Sequence, residues 1–125
     1  MRVPASGGTL DDIKALMRGM VSIFGTGDVS NLESLISEDY LDHQGLGEGA
    51  MHGPAGFRQV VSTARAAYQH LEVEIQDLIA ESDRVAARIR WCGVRSSDGA
   101  ACTRETIDIV RFAYGRAVEH WGMHL

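Results

Sequence analysis

From Leu10 the apolar residues recur with the period of a helix: Leu10, Ile13, Leu16, Met17, Met20, Val21 and Phe24. That stripe predicts a first amphipathic helix. Thr9 with Asp12 forms a capping box at its start, and Gly25-Thr26-Gly27-Asp28 stops it. A short second helix is expected from Ser30 to Ser37, burying Leu32, Leu35 and Ile36. Tyr40-Leu41-Asp42-His43 reads as a brief extended piece, followed by a glycine-rich stretch from Gln44 to Gly53. Pro54 suits the first turn of a third helix, whose apolar stripe is Phe57, Val60, Val61, Ala64 and Tyr68. After His70 the period falls from 3.6 to 2. Leu71, Val73, Ile75 and Leu78-Ile79 give one strand, and Glu81-Ser82-Asp83 a turn. Val85, Ala87, Ile89 and Trp91 alternate in the next strand, which Ser96-Ser97-Asp98-Gly99 closes. Two last runs flank Gly115. Helices first and hairpin-linked strands afterwards predict an α+β fold, with the helices packed on one face of an antiparallel sheet.

The final hairpin, Thr106 to Trp121, carries the most chemistry. A three-residue loop, Ala113-Tyr114-Gly115, puts Gly115 in the left-handed position and pairs Phe112 with Arg116, Val110 with Val118 and Asp108 with His120. An acid and an imidazole then lie side by side among Val110, Phe112 and Val118. A two-residue turn, Tyr114-Gly115, would instead move the register by one and put Asp108 and His120 on opposite faces. As a dyad, His120 would be the general acid or base and Asp108 its orienting partner. The alternative is a structural cross-strand pair at a pocket rim.

Composition narrows the class. The chain has 125 residues, 45 % of them apolar, enough for one domain with a sizeable core; residues 1–8 read as a flexible lead. A net charge of −5 with scattered basic residues argues against nucleic acid. No apolar run is long enough to span a membrane, and the start lacks the apolar core of a secretory signal. Cys92 and Cys102 have no metal-ligand spacing and read as free thiols of a cytoplasmic protein.

Several segments, taken in order, carry a resemblance: F-x-x-G-D at 24–28, Y-L-D-H at 40–43, G-P-x-G-F-R at 53–58, D-L-I-A-E-S-D-R-V-A-A-R at 77–88 and I-V-R-F-A-Y-G-R-A-V-E-H-W at 109–121. From about Leu10 to Trp121 the chain resembles the SnoaL-like polyketide cyclases, within the nuclear-transport-factor-like cone fold. The resemblance implies a cone-shaped fold, with N-terminal helices closing a curved sheet over a deep apolar pocket. It also implies aldol ring closure driven by a carboxylate on the last strand, two positions after the His of the E-H-W stretch. That position is Gly122 here. A pocket His of those cyclases matches Asp108, and a polar residue after the Tyr-Leu pair matches Asp42. The loop G-x-x-P-T-G-R is shortened to about Asp98–Arg104, and the usual C-terminal extension is lacking. The implied activity is therefore acid–base chemistry of the isomerase, lyase or cyclase kind on an apolar, polyketide-like substrate. The alternatives are a non-catalytic binding module of the same fold, or an epoxide hydrolase using Asp42, Arg88 and Asp108.

The expected catalytic residues are thus Asp108, His120, Asp42 and His43. Asp42 and His43 are strand neighbours, so one of the two faces the pocket. The expected pocket wall is Tyr40, Phe57, Val61, Tyr68, Val110, Phe112 and Val118. Arg88 and Arg90 share a strand face, where they meet either an acidic substrate group or Glu72 and Glu74. His43, His52, Asp108 and His120 could only weakly form a metal site; no metal is expected, and no motif implies an organic cofactor. Trp91 and Trp121 need cover if they face away from the helices, which predicts a homodimer through the outer sheet face.

Overall fold

In the computed structural model, residues 8–44 and 51–125 are described. The element order is α1 (Leu10–Thr26), α2 (Leu32–Leu35), β1 (Ile36–Asp42), β2 (Met51–His52), α3 (Gly53–Ala67), β3 (Tyr68–Glu81), β4 (Arg84–Arg95), β5 (Ala101–Ala113) and β6 (Arg116–His124). The strands form one sheet in the order β2-β1-β6-β5-β4-β3. Every neighbouring pair is antiparallel except β1 with β6, which is parallel. The long β3–β6 meander is the one the alternating pattern predicts. Residues 45–50 of the glycine-rich stretch Gln44–Gly53, and residues 1–7 of the expected lead 1–8, lie outside the described residues.

The caps of α1 are those the sequence encodes. Thr9 Oγ1 accepts from the Asp12 amide at 3.1 Å, and the Asp12 carboxylate accepts from the Thr9 amide at 3.0 Å. At the other end Gly27 takes φ 75°, and its N–H reaches the Ile23 carbonyl. Arg65 of α3 donates to the carbonyls of Phe24 and Gly25, closing the helix terminus with a cation. The second helix is shorter than Ser30–Ser37. Ile36 is extended and pairs with Ala117 of β6, so sheet pairing captures the chain from there. β3 likewise begins at Tyr68, which periodicity assigned to the third helix.

The apolar stripes of α1 and α3 meet the inward residues of β4 and β5. Ile13, Met17, Phe57, Val61, Val85, Ile89, Val110 and Phe112 are buried in one core, each contributing roughly 1.5–3 kcal/mol relative to exposure. Phe24 makes edge-to-face contacts with Phe57 and Trp91, which ties α1 to α3 and β4.

The hairpin register differs from the three-residue loop. Ala113 pairs with Arg116 across a two-residue turn, and both Tyr114 (φ 53°) and Gly115 (φ 77°) are left-handed. Two positive φ values match the right-handed twist of the strands better than a longer loop does. That turn alone would have separated Asp108 from His120. A β-bulge restores them to one face: Phe112 opposes Ala117 while Arg111 opposes Glu119, so Val118 is an extra residue. Val110 then opposes His120, and Asp108 opposes Gly122. Asp108 and His120 are diagonal neighbours, not a directly opposed pair.

Candidate active site

β5 places Arg104, Thr106, Asp108 and Val110 on the inward face at every second residue, and β6 adds His120 beside them. A cavity of about 330 Å³ opens between this face and the helices. Met17, Met20, Val21 and Phe24 of α1, Phe57, Val60, Thr63, Ala64 and Ala67 of α3, and Ile89 and Trp91 of β4 form most of its wall. Tyr40, Asp42, Gln44, Tyr68 and His124 complete it. A mostly apolar recess with a few convergent polar groups is the form of a small-molecule site.

At the floor His120 lies between two carboxylates. Its Nδ1 is 2.7 Å from Asp42 Oδ1, and its Nε2 is 2.7 Å from Asp108 Oδ1. Asp42 and Asp108 are themselves buried. Burial works against a charged imidazole, but the hydrogen bonds to Asp108 and Asp42, together with their charges, outweigh it and raise the His120 pKa to about 9. At neutral pH His120 is therefore an imidazolium that donates from both nitrogens. A chain of donors fixes the far side of Asp108: Trp91 Nε1 donates to Thr106 Oγ1 at 2.8 Å, and Thr106 Oγ1 donates to Asp108 Oδ2 at 2.7 Å. The Gln44 amide donates to Asp42 Oδ1 at 3.0 Å. Tyr40 is buried beside them. Burial, and then the charges of Asp42 and Asp108, hold its pKa well above the ordinary value of 10, so the hydroxyl keeps its proton.

Gly122 has a steric role here. A Cβ at that position would stand 2.7 Å from Asp108 Oδ1 and still closer to the Gln44 side chain. The bare backbone at 122 leaves room for the carboxylate that Asp108 brings from the neighbouring strand.

The structure separates the remaining candidates. Asp42 faces inward, and its neighbour His43 faces out. There His43 Nε2 is 2.7 Å from Glu119 Oε2 and stacks on Trp121. The His43 hydrogen bond, with a further contribution from Arg111, holds the Glu119 carboxyl below its ordinary range. His43 is thus on the wrong face to join the Asp42–His120–Asp108 group. Of the expected pocket wall, Tyr40, Phe57, Tyr68 and Val110 line the cavity. Val61 does not, because it sits about a quarter-turn around α3 from the Val60–Ala64 flank and is buried in the core. Phe112 lies in the sealed core beyond Val110, with no exposure at all. Val118 is the extra residue of the bulge and is also absent from the wall.

Arg88 lies on the outer face, where it donates to Asp77 at 2.6 Å and to Glu105 at 3.1 Å. Those two carboxylates, not Glu72 or Glu74, are its partners. An Asp42–Arg88–Asp108 cluster is therefore not assembled, since the sheet separates its members. The same separation takes His43 out of any metal set with Asp108 and His120. Trp91 faces the cavity, whereas Trp121 is on the outer face under Arg84.

Periodicity missed Arg104, Thr106 and Trp91 as site residues. The signal was present in the two-residue alternation of β5, which puts Arg104 and Thr106 on the same face as Asp108.

A helix-covered, mostly antiparallel sheet with a polar group at the floor of an apolar cavity defines an α+β cone-fold protein. The chain belongs to the SnoaL-like domain family, whose profile matches residues 17–120. Among solved structures it is similar to TsrD from Streptomyces laurentii, at 20 % identity over 93 % of this chain and 90 % of that one, with a TM-score of 0.82. IdmH from Streptomyces antibioticus is similar at 24 % identity over 88 % of this chain and 89 % of its own, with a TM-score of 0.77. A SnoaL-like polyketide cyclase from Agrobacterium tumefaciens is 15 % identical over 94 % and 91 %, with a TM-score of 0.78. No curated protein sequence matches the chain. Among the described residues no helix is long and apolar enough to cross a membrane.

Proposed function

We propose that the protein is an acid–base enzyme of the isomerase, lyase or cyclase kind, acting on an apolar, polyketide-like carbonyl compound. The observation that carries this reading is the buried Asp42–His120–Asp108 group at the floor of an apolar cavity. Both imidazole nitrogens are occupied by carboxylates, so His120 is a positioning residue and Asp108 is the group that meets substrate. Asp108 takes a proton from the carbon next to a carbonyl. The C–H electron pair becomes the new carbon–carbon double bond, and the carbonyl π pair moves onto oxygen. In a ring closure the enolate carbon then attacks a second carbonyl carbon of the same molecule, whose π pair goes to its own oxygen and takes the proton from Asp108. In an isomerisation Asp108 returns the proton to the far end of a conjugated enolate, and the carbonyl re-forms. The Tyr40 hydroxyl, kept neutral by its surroundings, is a donor suited to the developing oxyanion. The family resemblance puts the carboxylate at position 122; here Asp108 delivers it into the same space.

A proton abstraction can be tested without the natural substrate. In deuterated water the protein should accelerate exchange of the α-hydrogens of 2-tetralone, followed by proton NMR. Exchange at the buffer rate would contradict the reading.

We also propose that the protein acts as a homodimer through the outer sheet face. Ile79, Ala86, Ile109 and Trp121 are successive cross-strand partners, which makes one apolar row across four strands. Ile79 and Ile109 are exposed along it, with Ile107 and Met123 alongside. Sedimentation at micromolar concentration should give a dimer, and Ile109→Glu should give a monomer of unchanged fold. A wild-type monomer at 100-fold higher concentration would remove the proposal.

A further inference from the structure

The cavity carries a second charged group, at the end away from the Asp42–His120–Asp108 floor. Arg104 lines the wall with its guanidinium 5.1 Å from the Tyr68 ring centroid and 5.9 Å from that of Trp91. Stacking on two aromatic rings fixes the plane of the guanidinium and leaves its edge N–H groups to find acceptors. Among the described residues none is found. No carboxylate of the described residues pairs with Arg104, and its Nε is buried without a hydrogen-bond partner among them. Elsewhere in the meander Arg88, Arg95 and Arg111 each hold a carboxylate. A buried donor without an acceptor is costly, and a fixed cation in an apolar wall is a built receptor for an anion.

We infer that Arg104 is a specificity-determining residue, binding a carboxylate or equivalent acidic oxygen on the substrate's far end. This rests on the reading of the cavity as a substrate pocket. The spacing sets the ligand's dimensions. Arg104 and Asp108 are four residues apart on one strand face, roughly 13 Å along β5 at the usual rise. The substrate is therefore an elongated, mostly apolar monoanion. Its acidic group lies on Arg104 and its reacting carbon lies several bonds away over Asp108. The two ends of the cavity are opposite in charge, so the wrong orientation would set the acidic group against Asp42 and Asp108.

Anthraquinone-2-carboxylate and its methyl ester are suitable probes, since they share an apolar body and differ in the charge at one end. The chain has two tryptophans, so Trp121→Phe leaves Trp91, under Arg104, as the only tryptophan reporter when emission is excited at the red edge of the absorption band. Quenching of Trp91 should show the acid binding roughly 10- to 100-fold more tightly than the ester, the range of a charge-assisted contact. Arg104→Gln should abolish that preference, and Arg104→Lys should keep part of it. Equal affinities for acid and ester, or a preference that survives Arg104→Gln, would overturn the anchor while leaving the cavity as a binding site. Failure of both probes to bind at millimolar concentration would overturn the anchor and the pocket together. Exchange of 2-tetralone at the buffer rate by the wild-type protein, with its acid preference intact, would count against the acid–base reading alone.

Discussion

Asp108→Asn is expected to slow enzyme-promoted deuterium exchange of 2-tetralone by about 10²–10⁴-fold, the usual contribution of a positioned acid–base group. The substitution keeps the shape of the side chain. Its carbonyl oxygen can still accept from Thr106 or His120, so the hairpin and cavity should persist. What is lost is the basic oxygen in the space beside Gly122. If Asp108→Asn exchanges at the wild-type rate, Asp42, the other carboxylate in the cavity wall, becomes the acting base.

His120→Ala is expected to damage stability as well as activity. The imidazolium is the shared partner of two buried carboxylates, and removing it leaves them facing each other without that shared cation. Breaking a buried ionic group in this way costs about 3–5 kcal/mol. For a domain of this size that is a fall in Tm of roughly 10–20 °C. Held between Asp42 and Asp108, His120 belongs to the folded framework as well as to the site. The penalty should depend on pH. The folded pKa of about 9 lies above the ordinary value of 6.5. Protonation therefore stabilises the fold fully below about pH 6.5, and this contribution is lost as pH rises through 9. Over that window the wild-type advantage over His120→Ala should shrink by roughly 3 kcal/mol. An advantage that stays flat from pH 6 to 10 would mean that His120 is neutral in the folded protein.

The fold was legible in the sequence because its signals are local. The capping box at Thr9, the apolar stripes of the helices and the two-residue alternation of the strands each arise within a few residues. Asp108 and His120 were also legible as a pair, but through the wrong register. Two departures cancelled: the turn is one residue shorter than expected, and Val118 bulges out to restore the face. A bulge reports a fit between two strands and a covering core, and β6 alone gives no sign of it. Asp42 reaches the same imidazole only because β1 lies parallel to β6, a pairing across more than seventy residues that no periodicity encodes. Arg88 and Arg104 show the other limit. Both are arginines on alternating strands, and only the three-dimensional sheet shows that one faces solvent carboxylates and the other an apolar cavity.

The central claim is that a doubly hydrogen-bonded imidazolium is clamped between Asp42 and Asp108. A pH titration of the His120 ring by ¹⁵N-edited NMR tests it most directly. Both ring nitrogens are expected to carry protons at pH 7, with two N–H signals that collapse to one only near pH 9. A single N–H on a neutral ring at pH 7 would contradict it.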